Sequence, residues 1–424
     1  MMFMTKKETD ARRIAVIGAG AAGMMAAITA AEAGAAVTLF ERNDRVGKKL
    51  RITGKGRCNV TNNCDNNEFL SNVPTNPRFL YASLSRFSTA DTMAFFEDAG
   101  VPLKTERGKR VFPVSDRAAD IVSAMERRCR EVGVKIVHQR VCGLQLAGGK
   151  ICGLHYGQSG AEIEEAFDAV IICTGGRSYS MTGSDGDGYR FAAEAGHTVT
   201  PLHPSLVPIV AEGKLCASLQ GLSLRNVSLT IKMTQSGKAV YEDFGEMLFT
   251  HYGITGPLVL SASAHLSDIA PGKYEAIIDL KPALDEKTLD ARILSDFSKY
   301  QNRDLINALD DLLPQKMIAP YIKLCGIDPR KKVNSITCEE RERMVRILKG
   351  IRVKLVGFRP IEEAIVTRGG VSVKEIDPKT MQSKLVEGLY FAGEVLDVDA
   401  YTGGFNLQIA FSTATVAGTS AAWG

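Results

Sequence analysis

The chain has 424 residues, 45% of them hydrophobic and 24% charged, with a formal net charge of +4. That length is too great for one simple core and implies two or three domains of ordinary globular composition; so mild a charge suits a small anionic ligand and gives no ground for a nucleic-acid partner. The nine cysteines show no CxxC pair and no zinc spacing, no uncharged apolar run reaches membrane-spanning length, and the start MMFMTKKETDARR is polar, which excludes a zinc centre, a disulfide framework, membrane insertion and a secretory leader and leaves a cytoplasmic protein.

The first element is an apolar run, Ile14 to Ile17, that stops at Gly18-Ala19-Gly20-Ala21-Ala22-Gly23. Small residues continue to Ala33, and after Gly34 a second apolar run, Val37 to Phe40, is closed by Glu41 and Arg42. This reads as strand, glycine turn, helix and strand, the βαβ unit of a dinucleotide site. Gly18 permits the tight turn, Gly20 lets the backbone approach a pyrophosphate, and Gly23 lets helix and strand sit close. The pyrophosphate would meet the amides and positive dipole end of the helix, beside Ala19 and Ala22. Glu41 stands at the end of the second strand, where a carboxylate accepts the hydroxyls of an adenosine ribose and repels a 2′-phosphate, so NADP is disfavoured in this site. Taken alone, the motif does not distinguish FAD from NAD, and isolated glycines are as often an ordinary turn.

Next comes RVGKKLRITGKGRCNVTN, residues 45–62. An isolated stretch of this kind is a solvated loop. Directly after a nucleotide-binding unit it can wrap the cofactor, with Lys49 and Arg57 neutralising phosphate and Asn59 beside them. Cys58 and Cys64 lie too far apart for a dithiol centre. Residues 76–100 read as helical, and a helix from Arg117 to Val132 follows Ser115 and Asp116 as caps. A hairpin-like set follows, in which Val141 is a candidate cofactor contact, and then the core strand Ala169 to Cys173, which stops at Thr174-Gly175-Gly176, where Thr174 and Gly175 are further candidate contacts near the pyrophosphate. A strand ending in Thr-Gly-Gly is the return crossover of two-dinucleotide-binding flavoproteins. The glycines at 183–188 have neither a leading strand nor a placed acid, so a second nucleotide there is disfavoured. A helix over 186–195 follows them.

From Thr200 short β-type runs dominate: LVPIV, the strictly alternating VSLTIKM, KAVYEDF and KYEAIIDL. They suggest a small barrel or sandwich inserted into the nucleotide-binding domain. GEMLFTHYGITGP, 245–257, reads as a glycine-rich connection carrying His251 and Tyr252. Residues 285–349 are mostly helical, and strands return with IRVKLVGF. Near the C-terminus a strand, Leu389 to Ala392, leads to Gly393-Glu394, an acidic loop with Tyr401, and Gly403-Gly404 opening a helix at Phe405. In flavoproteins such a late helix aims its N-terminus at the pyrimidine edge of the flavin, where reduction leaves negative charge. NAD enzymes have no use for it, and this decides for FAD.

Four ordered blocks carry a family resemblance: GKGRCNVTN (54–62), TGGRSYSMTGSDGDGY (174–189), GEMLFTHYGITGP (245–257) and the stretch from Thr367 to Ala414. Over nearly its whole length the chain resembles the bacterial YhiN/BaiN-type FAD-dependent oxidoreductase family. The resemblance implies an α/β fold: a Rossmann-type FAD-binding domain over 1–195 and 360–424, a β-barrel insert over 196–282 and 350–359, and a helical subdomain over 283–349. It implies FAD contacts from Gly18, Gly20, Gly23, Glu41 and Arg42, and from Gly393, Glu394, Gly404, Phe405, Asn406 and Leu407.

The family's assigned reactions give two readings, and tRNA-modifying flavoproteins that share the fold give a third. The leading one is NAD(P)H-linked reduction of C=C bonds in a 3-oxo bile acid or steroid-like small molecule, with NAD(P)H docking transiently and His251, Tyr252 or Tyr401 as proton donor or oxyanion support. The second is an amine or aminoketone oxidase that uses O₂. The third is a flavin-containing RNA-associated protein, for which the Lys/Arg-rich spans 323–332 and 341–354 are the only sign.

Overall fold

A computed structural model describes residues 11–158, 160–266 and 268–424; the reading of a leaderless start falls largely on residues 1–10, outside them. The chain divides into two compact units, one of the described residues up to Ser205 with Ala364–Gly424, the other Leu206–Glu363.

In the first unit, five parallel strands form a sheet in the order Leu389–Phe391, Ala169–Ile172, Arg13–Ile17, Ala36–Phe40, Lys135–Val137. The middle strand, Arg13–Ile17, is buried from Ile14 onward because it is covered on both faces, which is why its apolar run is continuous rather than alternating. Each such buried aliphatic side chain contributes about 1.5–3 kcal/mol. The small-residue helix Ala21–Glu32 lies against the C-terminal helix Phe405–Trp423 so closely that a Cβ on Gly418 would stand 2.4 Å from the Ala26 carbonyl oxygen. Ala118–Glu131 is amphipathic instead, burying Ile121, Val122 and Met125 and exposing Arg127 and Arg130.

Two local expectations are corrected. The helix expected over 76–100 is three pieces: a 3₁₀ turn Pro77–Leu80, then Tyr81–Arg86, then Thr89–Asp98. Phe87 is extended (φ −146°), and Ser88 opens a new helix through a reciprocal capping box with Asp91. The helix Ala118–Glu131 is not capped by Asp116, whose carboxylate pairs with Arg57 and Lys104 at 2.6 and 2.8 Å.

A buried knot ties residues 375–386 to this unit. His197 is 4% exposed; its Nδ1 meets Glu375 Oε2 at 3.2 Å and its Nε2 meets Ser383 Oγ at 2.8 Å. Ser383 Oγ already accepts the amides of Leu385 and Val386, so its proton goes to Nε2 and the ring is neutral with Nδ1–H facing the carboxylate. Burial holds the His197 pKa below its ordinary 6.5, although Glu375 pulls the other way. A depressed folded-state value means that this stabilisation is present above 6.5 and lost as pH falls. Thermal unfolding should therefore drop in midpoint on acidification below 6.5, and His197→Gln should flatten that dependence; an unchanged slope would remove His197 from the account.

The second unit is a closed antiparallel barrel in the order Ile209–Ala211, Gly253–Thr255, Ala239–Phe249, Ser223–Met233, Tyr274–Asp279, Ile351–Phe358. Ser223–Met233 buries Val227, Leu229 and Ile231 in alternation, as a strand with one covered face must. Between Tyr274–Asp279 and Ile351–Phe358 the chain leaves to build helices Glu286–Lys299, Gln315–Cys325 and Cys338–Lys349, whose apolar faces join the barrel in one buried cluster. The segment expected as a glycine-rich connection, 245–257, is mostly strand. Gly253 allows it: a Cβ there would stand 2.1 Å from the Ile209 carbonyl oxygen of the paired strand.

Candidate functional site

At the carboxyl end of the middle strand the chain turns through Gly18, at φ +98°. A Cβ on Gly18 would lie 2.7 Å from the Cys173 carbonyl oxygen, and one on Gly23 would lie 1.6 Å from the Gly18 carbonyl oxygen. Both glycines are required by the protein's own packing. Gly20 is different: its backbone is extended (φ −82°, ψ −165°) and a Cβ would meet nothing within 4 Å. It faces a cleft of about 1380 Å³, open mouth included, lined also by Gly18, Ala19, Ala22, Glu41, Arg42, Lys49, Val141, Thr174 and Gly175. No side chain caps the helix that starts here and no acid occupies its first turn, so its terminal amides remain available to an anion.

Glu41 is buried and already oriented. Its Oε2 accepts from the Ala19 amide at 3.0 Å, and its Oε1 accepts from the Asn43 amide and side chain at 2.8 and 2.6 Å. Beyond it the loop Thr182–Asp187 forms a wall of the same cleft. Asn43 donates to the Thr182 carbonyl at 3.1 Å, Arg42 pairs with Asp185, and Arg140 holds Asp187 at 2.8 Å. Gly183, the first of the glycines at 183–188 disfavoured as a second nucleotide site, thus lines this cleft. No sequence signal marked the wall, because its partners are about 140 and 50 residues distant.

Lys49 bridges Ser178 Oγ and Glu394 Oε2, both at 2.7 Å, while Glu394 also accepts from the Thr367 amide at 2.9 Å. Thr174 Oγ1 is buried in the cleft wall with no partner among the described residues, and so is Asn59 Oδ1 outside the cleft lining. Arg57 is turned to Glu106 and Asp116, at 2.5 and 2.6 Å, with its guanidinium over the Phe112 ring.

The far end of the chain supplies the other wall. Gly393 sits against the first helix, where a Cβ would be 2.8 Å from the Ala22 Cβ, and Glu394, Val398, Asn406 and Leu407 line the cleft. Gly404, at φ +98°, is the N-cap of the last helix and leaves no room for a side chain against Thr61, its Cβ falling 2.3 Å from that carbonyl oxygen. The Asn406 amide clamps Ala400, donating to its carbonyl at 2.7 Å and accepting its amide at 3.0 Å. Phe405 packs on Phe69 instead, rings 5.3 Å apart. Behind Val398, burial pushes the Asp397 and Asp399 carboxyls up; Ser205 Oγ donates to Asp399 at 2.8 Å. Tyr401 stands in this loop, its amide donating to the Asn72 carbonyl at 3.0 Å. His251 and Tyr252 occupy the barrel's reversal between Phe249 and Gly253, rings edge to face at 4.9 Å, with the Arg359 guanidinium 4.6 Å over Tyr252. Among the described residues no His, Cys, Asp and Glu group could hold a metal, and no helix is long and apolar enough to cross a membrane.

The family described as HI0933-like protein Rossmann domain matches residues 12–420. The 3-dehydro-bile acid delta(4,6)-reductase of Clostridium scindens is 32% identical over 97% of this chain and 99% of its own. The ribosomal RNA dihydrouridine synthase of Escherichia coli K12 is 31% identical over 94% of this chain and 95% of its own. Among solved structures, a 3-ketosteroid delta1-dehydrogenase from Sterolibacterium denitrificans superposes with a TM-score of 0.53 at 14% identity, covering 98% of this chain and all (100%) of that one, a likeness of fold.

Proposed function

Since the chain belongs to the HI0933-like Rossmann-domain family, we propose that it is an FAD-dependent reductase of carbon–carbon double bonds conjugated with a carbonyl. The observation that carries the cofactor is Gly20, whose missing side chain serves nothing inside the protein and opens the cleft where an uncapped helix begins. The residues fit FAD. The first-turn amides would take the pyrophosphate, Glu41 the adenosine ribose, Thr174 Oγ1 a polar group it now lacks, and Glu394 with Asn406–Leu407 the flavin end. When bound, FAD supplies two-electron chemistry. The chain's own part is to orient it, exclude water and deliver a proton.

The names of the two relatives share one chemistry: a double bond conjugated with a carbonyl, in a 3-dehydro bile acid or in uracil, gains two hydrogens. NAD(P)H gives up a hydride equivalent, and the second hydrogen arrives as a proton, for which His251, Tyr252 and Tyr401 are the proposed donors. The first substrate reading is a 3-oxo steroid-like enone. The second, favoured by the Escherichia coli relative at nearly equal identity, is a uracil ring in RNA. Anaerobic mixing of the loaded protein with NADH and with NADPH should bleach the flavin absorbance with at least one of them, and a 3-oxo-4-ene steroid should restore it. No bleaching with either defeats the nucleotide-linked reading. Recovery only with uridine-containing RNA selects the second substrate, and peroxide formed with an aminoketone would point to an oxidase. His251→Ala with full turnover and intact FAD removes His251 as donor.

A further inference from the structure

Residues 54–62 are the first block of the family resemblance, yet among the described residues that line the cleft none comes from them. Their last two, Thr61 and Asn62, are buried and form a short strand paired with Val111 and Arg110. What they hold lies far along the chain. The Asn62 side-chain amide donates to the Gly108 carbonyl at 3.1 Å and to the Gly403 carbonyl at 3.0 Å, 341 residues later. Gly404 follows, pressed on the Thr61 backbone, and the last helix, Phe405–Trp423, begins. Thr61 Oγ1 then donates to Gln408 Oε1 at 2.6 Å, about one turn into that helix.

Gln408 is fully buried and its amide has one possible orientation. Its Nε2 meets the Ser88 carbonyl and Ser412 Oγ, both at 3.0 Å, and the Phe87 carbonyl at 3.3 Å; Ser412 Oγ donates to that same Phe87 carbonyl at 2.6 Å. Carbonyls only accept, so the nitrogen must face them and the oxygen must take the Thr61 proton. The break between helices Tyr81–Arg86 and Thr89–Asp98 thus has a use: it leaves the Phe87 carbonyl to this network instead of to a helix. A buried polar set whose members are all bonded specifies one arrangement, here that of the helix start.

That start is unfinished as a helix end. No side chain caps it and no acid lies in its first turn, while Asn406 and Leu407 line the cleft. We infer that Thr61, Asn62 and Gln408 are positioning residues for flavin reduction: they hold this helix end where its amides stabilise the negative charge that two added electrons leave on the flavin. The inference rests on the FAD reading and is independent of the substrate. All three side chains are neutral, so each acts only through where the helix begins. The electrostatic effect of a helix end falls off within one turn, so a small displacement weakens it.

The test is the midpoint potential of the flavin, measured on the full, FAD-loaded chain against a reference dye. Thr61→Val and Gln408→Met keep nearly the same volume and remove the link. Each should weaken the hold on reduced FAD about three- to tenfold relative to oxidised FAD, which lowers the potential by about 15–30 mV for a two-electron couple. Thr61→Ser retains the hydroxyl and should keep the wild-type value. Thr415→Val, which removes a hydroxyl bonded to the Phe411 carbonyl of its own helix at 2.9 Å, should leave the potential unchanged. Should Gln408→Met not fold, Thr61→Val decides, since it removes a single hydroxyl. Wild-type protein that takes up no FAD refutes the cofactor reading and the positioning role with it. FAD bound at the wild-type potential in Thr61→Val, or an equal shift in Thr415→Val, refutes the positioning role and keeps the cofactor reading.

Discussion

Gly23→Ala is expected to yield no stable, flavin-loaded protein, whereas Gly20→Ala is expected to fold normally and to bind FAD at least about tenfold more weakly. Two effects compete at Gly23. Alanine is a better helix former by about 1 kcal/mol, but its Cβ would fall 1.6 Å from the Gly18 carbonyl oxygen and 3.4 Å from the Cys173 side chain. Backbone cannot swing aside as a flexible side chain does, and overpacking of this kind costs on the order of 3 kcal/mol or more. That cost exceeds the gain and falls on the turn that joins strand to helix. At Gly20 the extended backbone accepts any residue and a Cβ meets nothing. Loss of a good N-cap residue costs about 0.5 kcal/mol, and the new methyl occupies the space where a pyrophosphate would approach. Urea unfolding of the apo forms, beside bound-flavin absorbance, separates the two. A Gly20→Ala protein with wild-type flavin content would deny that this glycine faces the cofactor.

The legible parts of this molecule are those whose cause is local. Ile14–Ile17 and Ala169–Ile172 read as core strands because burial on both faces leaves no polar position. The barrel strand Ser223–Met233 reads from its alternation, and the half-site Gly18–Glu41 from spacing. The C-terminal half-site was readable because Gly404 marks a helix start and Gly393 a strand end. What escaped depends on distant partners. Arg57, expected at a phosphate, lies among Glu106, Asp116 and the Phe112 ring, contributed by a hairpin some fifty residues later. The Thr182–Asp187 wall is held by Arg42 and Arg140, and no spacing rule joins these residues. The break at Ser88 is the exception: Ser-x-x-Asp stood in the sequence, but the apolar positions on either side suggested a single helix. In 245–257 glycine suggests a loop, whereas Gly253 marks the close approach of paired strands.

Lys49→Met should be the most damaging change to a charged residue of the cleft. Lys49 and Glu394 are half-buried and linked at 2.7 Å, with Ser178 bonded to both. Removing the ammonium leaves Glu394 with an uncompensated charge among the Thr367 amide and the Ser178 hydroxyl. Breaking a fully buried pair costs about 3–5 kcal/mol and an exposed one about 0–1, so a loss of roughly 1–3 kcal/mol is expected here. Adding Glu394→Gln removes the stranded charge, so the double variant should be more stable than Lys49→Met alone, a coupling that a double-mutant cycle reads directly. Flavin content then tells what the lysine is for. If Lys49 only neutralises Glu394, the double variant regains both stability and FAD. If it also attracts the cofactor's phosphates, stability returns and FAD does not, because Arg42, Lys48 and Arg140, the other cations of the cleft lining, are paired with Asp185, Asp44 and Asp187; this is the outcome expected from its place in the lining beside Glu394.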